Sequence, residues 1–501
     1  MGSAQSTPQH VAADNQLDEK RVAADLANLR ISPSTPASAD GALVPTNFSS
    51  WEDDISSKPQ IELARTILNH ANLRETLLSR KAAVADVHVF NHELKFKTGP
   101  VTSQNSSGRC WLFATTNVLR YNIMKKFNLE DFQLSQSYLF FYDKLNKANY
   151  YLELSIQHSD LPIDDRLISH LAGDLISDGG QWDMVVNLLE TYGVVPQPVY
   201  PESYHSSNSG QLNSLLKTKL REHALILRSL ASSLRASSPS GLTDAHIATL
   251  RAKKEELVKE VYTVMSATLG VPPLPAKDGK DPKFVWEFYD KDGKPGRWEG
   301  TAHEFYEIAK GDYSPADSFS LINDPRNEYS KLYTVDKLGN LWGGRPVLYV
   351  NTEIDNLKKA VVKLIKAGQP VFFGCDVGQF SHRDFGVMDT DIYDYESAFD
   401  ITLGLTKADR LRVGESAMTH AMVISGVHLD ANGNPVRYKV ENSWGPNVGN
   451  KGYYLMTDAW FEQFVYQVVV PKALAPKELV KVYESGEKVV LAPWDPMGAL
   501  A

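Results

Sequence analysis

Cysteine is scarce in this chain: Cys110 and Cys375 are the only two among 501 residues. That excludes a disulfide framework and points to a reducing compartment, with the cytoplasm expected and a mitochondrial fraction as the alternative. No apolar run is long enough to span a bilayer. No His, Cys, Asp or Glu cluster has metal-ligand spacing, so neither a metal nor another cofactor is expected. The net charge of −9 argues against a dominant phosphate-binding role. Residues 1–47 lack an apolar secretory core; their Ala/Ser/Asp-rich composition predicts a disordered tail. Asp14, Asp18, Glu19 and Asp25 weigh against a mitochondrial presequence. The start Met1-Gly2-Ser3-Ala4-Gln5-Ser6 fits the minimal N-myristoylation pattern, which is short enough to be common by chance.

What is present is a soluble-type composition, 43% apolar and 23% charged, on a chain long enough for two or more lobes. Residues 48–100 form an N-terminal extension, where Leu63, Ile67, Leu68, Leu73 and Leu77 predict one helix over 61–83. Residues 101–205 predict a helical lobe, with helices from Cys110, after Ser135 and over 181–192. Residues 206–340 are expected as an insertion, mostly helical over 212–268 with a break at 237–241. It is followed by a hairpin turning at Asp290-Lys291-Asp292-Gly293. Those four residues lack the further acids of a calcium loop, so a plain turn is the better reading. Residues 341–470 predict a β-rich lobe, and 471–501 a C-terminal arm.

The chemistry gathers around Cys110, in the run Gln104-Asn105-Ser106-Ser107-Gly108-Arg109-Cys110-Trp111. Leu112, Leu119, Ile123 and Phe127 predict an amphipathic helix beginning at the cysteine. A thiol in the first turn feels the positive end of the helix dipole, which favours thiolate. The Gln104 amide and the Cys110 N–H could together stabilise an oxyanion. Among 13 histidines, His420 stands out as a lone imidazole opening the apolar run Ala421-Met422-Val423-Ile424. A turn over 430–435 and a returning strand would bring Asn442 beside it and fix the ring. Each residue also has a bland reading: a buried helix cysteine, a core histidine, a turn-capping asparagine, a loop glutamine. The spacing of the set favours chemistry; Cys375 and the remaining histidines receive no role.

Gln104, Cys110-Trp111, the His420 strand and Asn442-Ser443-Trp444-Gly445 resemble, in that order, the motifs of papain-clan cysteine peptidases. Asp178-Gly179-Gly180 resembles the paired-glycine wall of that clan's substrate cleft. The likeness implies an α+β fold: a helical lobe and a β-barrel-like lobe, with Trp444 shielding the Asn442–His420 bond. Ser107 stands where secreted relatives have their first cysteine. His420 and Asn442 also lie much further downstream than the roughly 130–150 residues of papain-type chains. The large insertion, the two extensions and the C-terminal Trp494-Asp495-Pro496-Met497-Gly498-Ala499-Leu500-Ala501 resemble the bleomycin hydrolase family.

That resemblance implies a cysteine aminopeptidase assembled as a homohexamer, acting on peptides and small amides or thioesters with a free α-amine. Bleomycin and homocysteine thiolactone are such compounds. It further implies that the C-terminal arm lies in its own cleft. Ala499 and Leu500 then occupy the non-primed side, and the Ala501 carboxylate receives the substrate amine. Some members of the family bind DNA, which leaves a nucleic-acid-binding regulator as an alternative. Lys253-Lys254, Lys358-Lys359 and Lys363–Lys366 offer it weak support. An endopeptidase with an open cleft is the third reading.

Overall fold

The computed structural model describes residues 38–238, 241–274 and 281–501. Residues 1–37, with most of the expected tail and Gly2, therefore lie outside the described residues. The chain divides into two compact units, one of residues up to Leu77 with Tyr395–Thr402, the other holding Leu78–Asp394 and Leu403–Ala501.

The smaller unit is helical, with Thr46–Ser56, Pro59–Leu68, Leu73–Thr76 and Tyr395–Phe399. The continuous helix expected over 61–83 is not formed. The Asn72 side chain accepts the N–H groups of Arg74 and Glu75 and starts a new helix. In the larger unit, Ser79 does the same for Arg80–Ala85. Side chains that capture backbone donors compete with helix continuation, so these two caps set the breaks. The face predicted to be apolar is also open, with Leu63 61% and Leu73 43% exposed.

The larger unit begins its helical part with Cys110–Phe127, Gln136–Gln157 and Trp182–Tyr192. Ser135 caps the second, accepting the Tyr138 N–H. The long helices Gly210–Ala236 and Asp244–Leu269 pack on Gln136–Gln157. The Cys110 helix departs from expectation: it is buried on nearly every side rather than along one stripe. Sheet strands cover one side, while the helix Ala302–Lys310 and the hairpin Lys283–Tyr289/Pro295–Thr301 cover others. Periodicity disappears from a helix that has core all round it.

A twelve-stranded sheet forms the other half. At its centre His420–Leu429 lies between Val371–Cys375 and Pro435–Glu441, antiparallel to both. Ala421 and Val423 enter the core shared with the helices, whereas Met422 and Ile424 enter a second core behind the sheet. A strand covered on both faces reads as an unbroken apolar run. Strands 318–322 and 331–335, from the end of the expected insertion, join this same sheet. So does Lys488–Leu491 from the arm, parallel to Lys331–Val335.

One ion pair ties the helices to the sheet. Arg120 on the Cys110 helix meets Glu441 at 2.6 Å, the two side chains being 1% and 5% exposed. Arg120 also donates to the carbonyls of Pro100 and Phe132, so its charge is well compensated. Burial pushes the Glu441 carboxyl up and the guanidinium pulls it down. Removing one partner strands a charge in the core. We expect Arg120→Met to destabilise the protein by about 3–5 kcal/mol in urea unfolding, and Arg120→Met/Glu441→Leu to recover most of that loss.

Candidate active site

Cys110 occupies the first turn of its helix, where backbone N–H groups have no intrahelical acceptor. The loop before it is pinned from several directions. Gln104 N–H donates to the Ser443 carbonyl (2.8 Å), Ser106 N–H to the Ser207 carbonyl (2.9 Å), and Gly108 N–H to Asp178 Oδ2 (3.0 Å). Arg109, fully buried, pairs with Glu202 and donates to Ser107 Oγ. The helix that carries Cys110 packs on the strand His420–Leu429.

The hairpin predicted from Asp430-Ala431-Asn432-Gly433 forms, its turn held by Asp430 Oδ1 accepting the N–H groups of Asn432 and Asn434. In its register Val423 pairs with Glu441, so Asn442 falls near the start of the His420 strand. His420 Nε2 lies 2.9 Å from Asn442 Oδ1, which also accepts the Ser443 N–H at 2.7 Å. An amide oxygen already holding one N–H takes a donor from the ring, so Nε2 carries the proton and Nδ1 is left as an acceptor. The Trp444 ring lies over this imidazole, with centroids 5.1 Å apart.

Gln104 is oriented by a residue that the sequence reading missed. Ser443 Oγ donates to Gln104 Oε1 at 2.6 Å, and Gln104 Nε2 donates one hydrogen to the Ser107 carbonyl. A primary amide has a second donor, and Gln104 lines the same cavity as Cys110 and His420. Asp178 was also missed as a brace. It receives Gly108 N–H, the Ser209 hydroxyl, Asn213 Nδ2 and the Lys144 ammonium, while its carbonyl accepts the Trp111 indole N–H. Burial raises its carboxyl, but these partners outweigh burial and hold it below the ordinary carboxylate range. Its place before two glycines was visible; its partners come from elements too distant in sequence to read.

Burial disfavours either charge alone at the centre. It pushes the Cys110 thiol up to about 11, against hydrogen bonds from Ala421, Trp111 and its own N–H. It also pushes His420 down to about 4, against the Asn442 bond. The pull of the helix dipole toward thiolate is thus opposed by desolvation of the sulfur. Taken singly, each group is therefore favoured in its neutral form.

The arm ends in this cavity of about 260 Å³, which Gln104, Cys110, Gly179, His420, Leu500 and Ala501 line together. Gly180 N–H donates to a terminal oxygen of Ala501 at 3.0 Å, and Gln181 Nε2 to the Ala499 carbonyl at 2.5 Å. A side chain on Gly179 would stand 2.7 Å from the Ala501 oxygen; one on Gly180 would stand 2.5 Å from the Trp111 indole. Both glycines are required by close approach. Further back, Asp495 pairs with Arg326, Tyr349 OH donates to the Met497 carbonyl, and Arg166 stacks on Trp494. Among the described residues, no group of His, Cys, Asp and Glu could hold a metal ion, and no helix is long and apolar enough to cross a membrane.

Residues 43–498 match the model of the Peptidase C1-like family. Cysteine proteinase 1, mitochondrial, of Saccharomyces cerevisiae is 42% identical over 91% of this chain and 92% of its own length. Bleomycin hydrolase of Mus musculus is 42% identical over 89% of this chain and 96% of its own. Aminopeptidase C of Streptococcus thermophilus is 42% identical over 87% and 93%. A crystal structure of PepW from Lactobacillus rhamnosis superimposes with a TM-score of 0.86 at 41% identity, covering 92% of this chain and all of that one. The chain thus belongs to the Peptidase C1-like family, and it is a cysteine peptidase of papain-like α+β architecture.

Proposed function

We propose that this protein is an aminopeptidase that removes N-terminal residues from peptides through a Cys110–His420–Asn442 site. The observation that carries the proposal is the chain's own terminus lying beside Cys110, with its carboxylate on the Gly180 N–H. A cleft filled on one side by residues 499–501 leaves space for a single substrate residue before the scissile bond. The Ala501 carboxylate then offers a counter-charge to that residue's free ammonium.

In this mechanism His420 Nδ1 takes the Cys110 proton as the sulfur attacks the scissile carbonyl. Gln104 and the Cys110 N–H donate to the oxyanion. His420 then protonates the departing amine, leaving a thioester on Cys110. A water molecule, deprotonated by His420, attacks the thioester; the acid leaves and the thiol is restored. Asn442 holds the ring in the required tautomer, and Trp444 keeps water from that bond. No cofactor enters. Small amides and thioesters with a free α-amine, such as bleomycin and homocysteine thiolactone, meet the same requirements.

A homohexamer belongs to this proposal on the strength of family likeness. The cytoplasm is the proposed location; a mitochondrial fraction is the alternative, as the yeast relative's name carries that word. Two of the lysines that supported the nucleic-acid reading are already paired. Lys254 is held by Glu153, and Lys358 by Asp458 and Glu462, so less free charge faces a phosphate.

Three outcomes follow. Unblocked aminoacyl-coumarin substrates should be cleaved while their N-acetylated forms are not; deletion of 499–501 should make blocked peptides substrates. A truncated enzyme that still requires a free amine contradicts the arm's role. Gln104→Ala should lower kcat by roughly 100–1,000-fold with KM little changed. A raised thiol pKa means thiolate accumulates only as pH climbs from 9 toward about 11 unless the imidazole takes the proton. In His420→Gln, alkylation of Cys110 by iodoacetamide should therefore rise over that alkaline range, whereas the parent enzyme should react near neutrality. Equal rates at pH 7 would remove His420 from the activation of the thiol.

A further inference from the structure

Ala501 is 4% exposed and ends in a carboxylate, yet among the described residues no lysine, arginine or histidine forms an ion pair with it. An anion taken out of water needs compensation. The donor it has is the Gly180 N–H, at 3.0 Å. At the other end of that same peptide group, the Gly179 carbonyl accepts from the Lys147 ammonium at 2.6 Å. One peptide therefore lies between a buried cation and the terminus. Lys147 stands on the helix Gln136–Gln157 and is 5% exposed. It also donates to the Ser177 carbonyl at 2.9 Å and pairs with Asp143 at 2.7 Å, so the three donors of its ammonium are all engaged. Asp143 is held in turn by Asn340 Nδ2 at 2.9 Å.

We propose that Lys147 is a positioning residue for the arm: through the 179–180 peptide it holds the Ala501 carboxylate beside Cys110. Its consequence for substrates rests on the aminopeptidase reading above. Lys147 touches neither substrate nor the reacting atoms, and it acts in two ways. A carbonyl that accepts from an ammonium is polarised, and the N–H of the same peptide becomes a better donor to the terminal carboxylate. The ammonium also fixes which way that peptide points. Glycine on both sides leaves a peptide with little steric restraint on its orientation. Holding the Ser177 and Gly179 carbonyls from one Nζ supplies the restraint, and the Gly180 N–H is left facing the terminus. Asp143 balances the charge of Lys147 without displacing its hydrogen bond to Gly179. The Lys147 ammonium also lies over the Trp111 ring, 5.4 Å from its centroid, so a substitution could disturb Cys110 as well as the arm. The test must therefore read the terminus itself.

Lys147→Met/Asp143→Asn removes the cation without stranding its partner, and it is compared with the parent chain. Both are exposed to carboxypeptidase Y under native conditions, with release of Ala501 and Leu500 followed by mass spectrometry. Thermolysin cleavage elsewhere in the chain measures general loosening. Trimming should be about fivefold faster in the variant, the scale of a charge-assisted bond reduced to a neutral one, with thermolysin cleavage little changed. As the arm loosens, N-acetylated peptides should become substrates of the variant. Equal trimming rates would overturn the proposal, and so would trimming and thermolysin cleavage that rise by the same factor. Should that variant not fold, Lys147→Gln in the same Asp143→Asn background, which keeps an amide donor near Gly179, is read by the same two rates. The aminopeptidase reading fails separately: cleavage of N-acetylated substrates by the parent enzyme would overturn it, while the trimming rates would still decide the role of Lys147.

Discussion

One hydrogen bond fixes the end of the arm beside Cys110: the Gly180 N–H donates to a terminal oxygen of Ala501. It works because space beside the nucleophile is nearly exhausted. Gly179 admits no side chain against Leu500 and Ala501, and Gly180 admits none against Trp111. Backbone and terminus are therefore pressed together, and the cleft is closed at one end by the protein itself. The rest of the larger unit can be understood as holding this contact still. Lys147, paired with Asp143, donates to the Gly179 carbonyl at 2.6 Å from beneath, and Lys144 with Asp178 fixes the residues just before it. On the arm, the Asp495–Arg326 pair and the strand Lys488–Leu491 set the path by which the last residues arrive.

The electrostatics of the centre have a common cause. Complete burial makes a lone thiolate or a lone imidazolium costly, pushing the Cys110 thiol up and the His420 ring down. The segments that carry these two groups are tied to one another. The Arg120–Glu441 pair links the nucleophile's helix to the strand that delivers Asn442, and Ser443 links Asn442 to Gln104. The Cys110 helix, the His420 ring and Gln104 are thereby joined through one short segment, 441–443.

Much of this was legible before any coordinates. The His420 run could be recognised as a strand because a strand covered on both faces is continuously apolar, and the Asp430–Asn434 turn announced the hairpin. Ser135 stands as the cap at the start of a real helix. What could not be read locally was decided by distant chain. The Cys110 helix looked amphipathic, yet residues 283–310 cover the face that seemed free. The break after Leu68 was hidden because no glycine or proline marks it, only Asn72 capturing two backbone donors. Asp178 and Ser443 draw their meaning from partners far along the chain. The arm's route was legible only as a family likeness, since nothing in residues 499–501 themselves points to Gly180.

The most direct measurement replaces the charge at the terminus while keeping its shape. A semisynthetic enzyme ending in an Ala501 carboxamide would still fill the cleft and still accept from Gly180. With the charge-assisted contact to the substrate ammonium removed, kcat/KM for free-amine substrates should fall by about ten- to a hundredfold, with N-acetylated substrates still excluded. Unchanged kcat/KM for the free-amine substrates would contradict the account, because the terminal carboxylate would then have no part in recognising the amine.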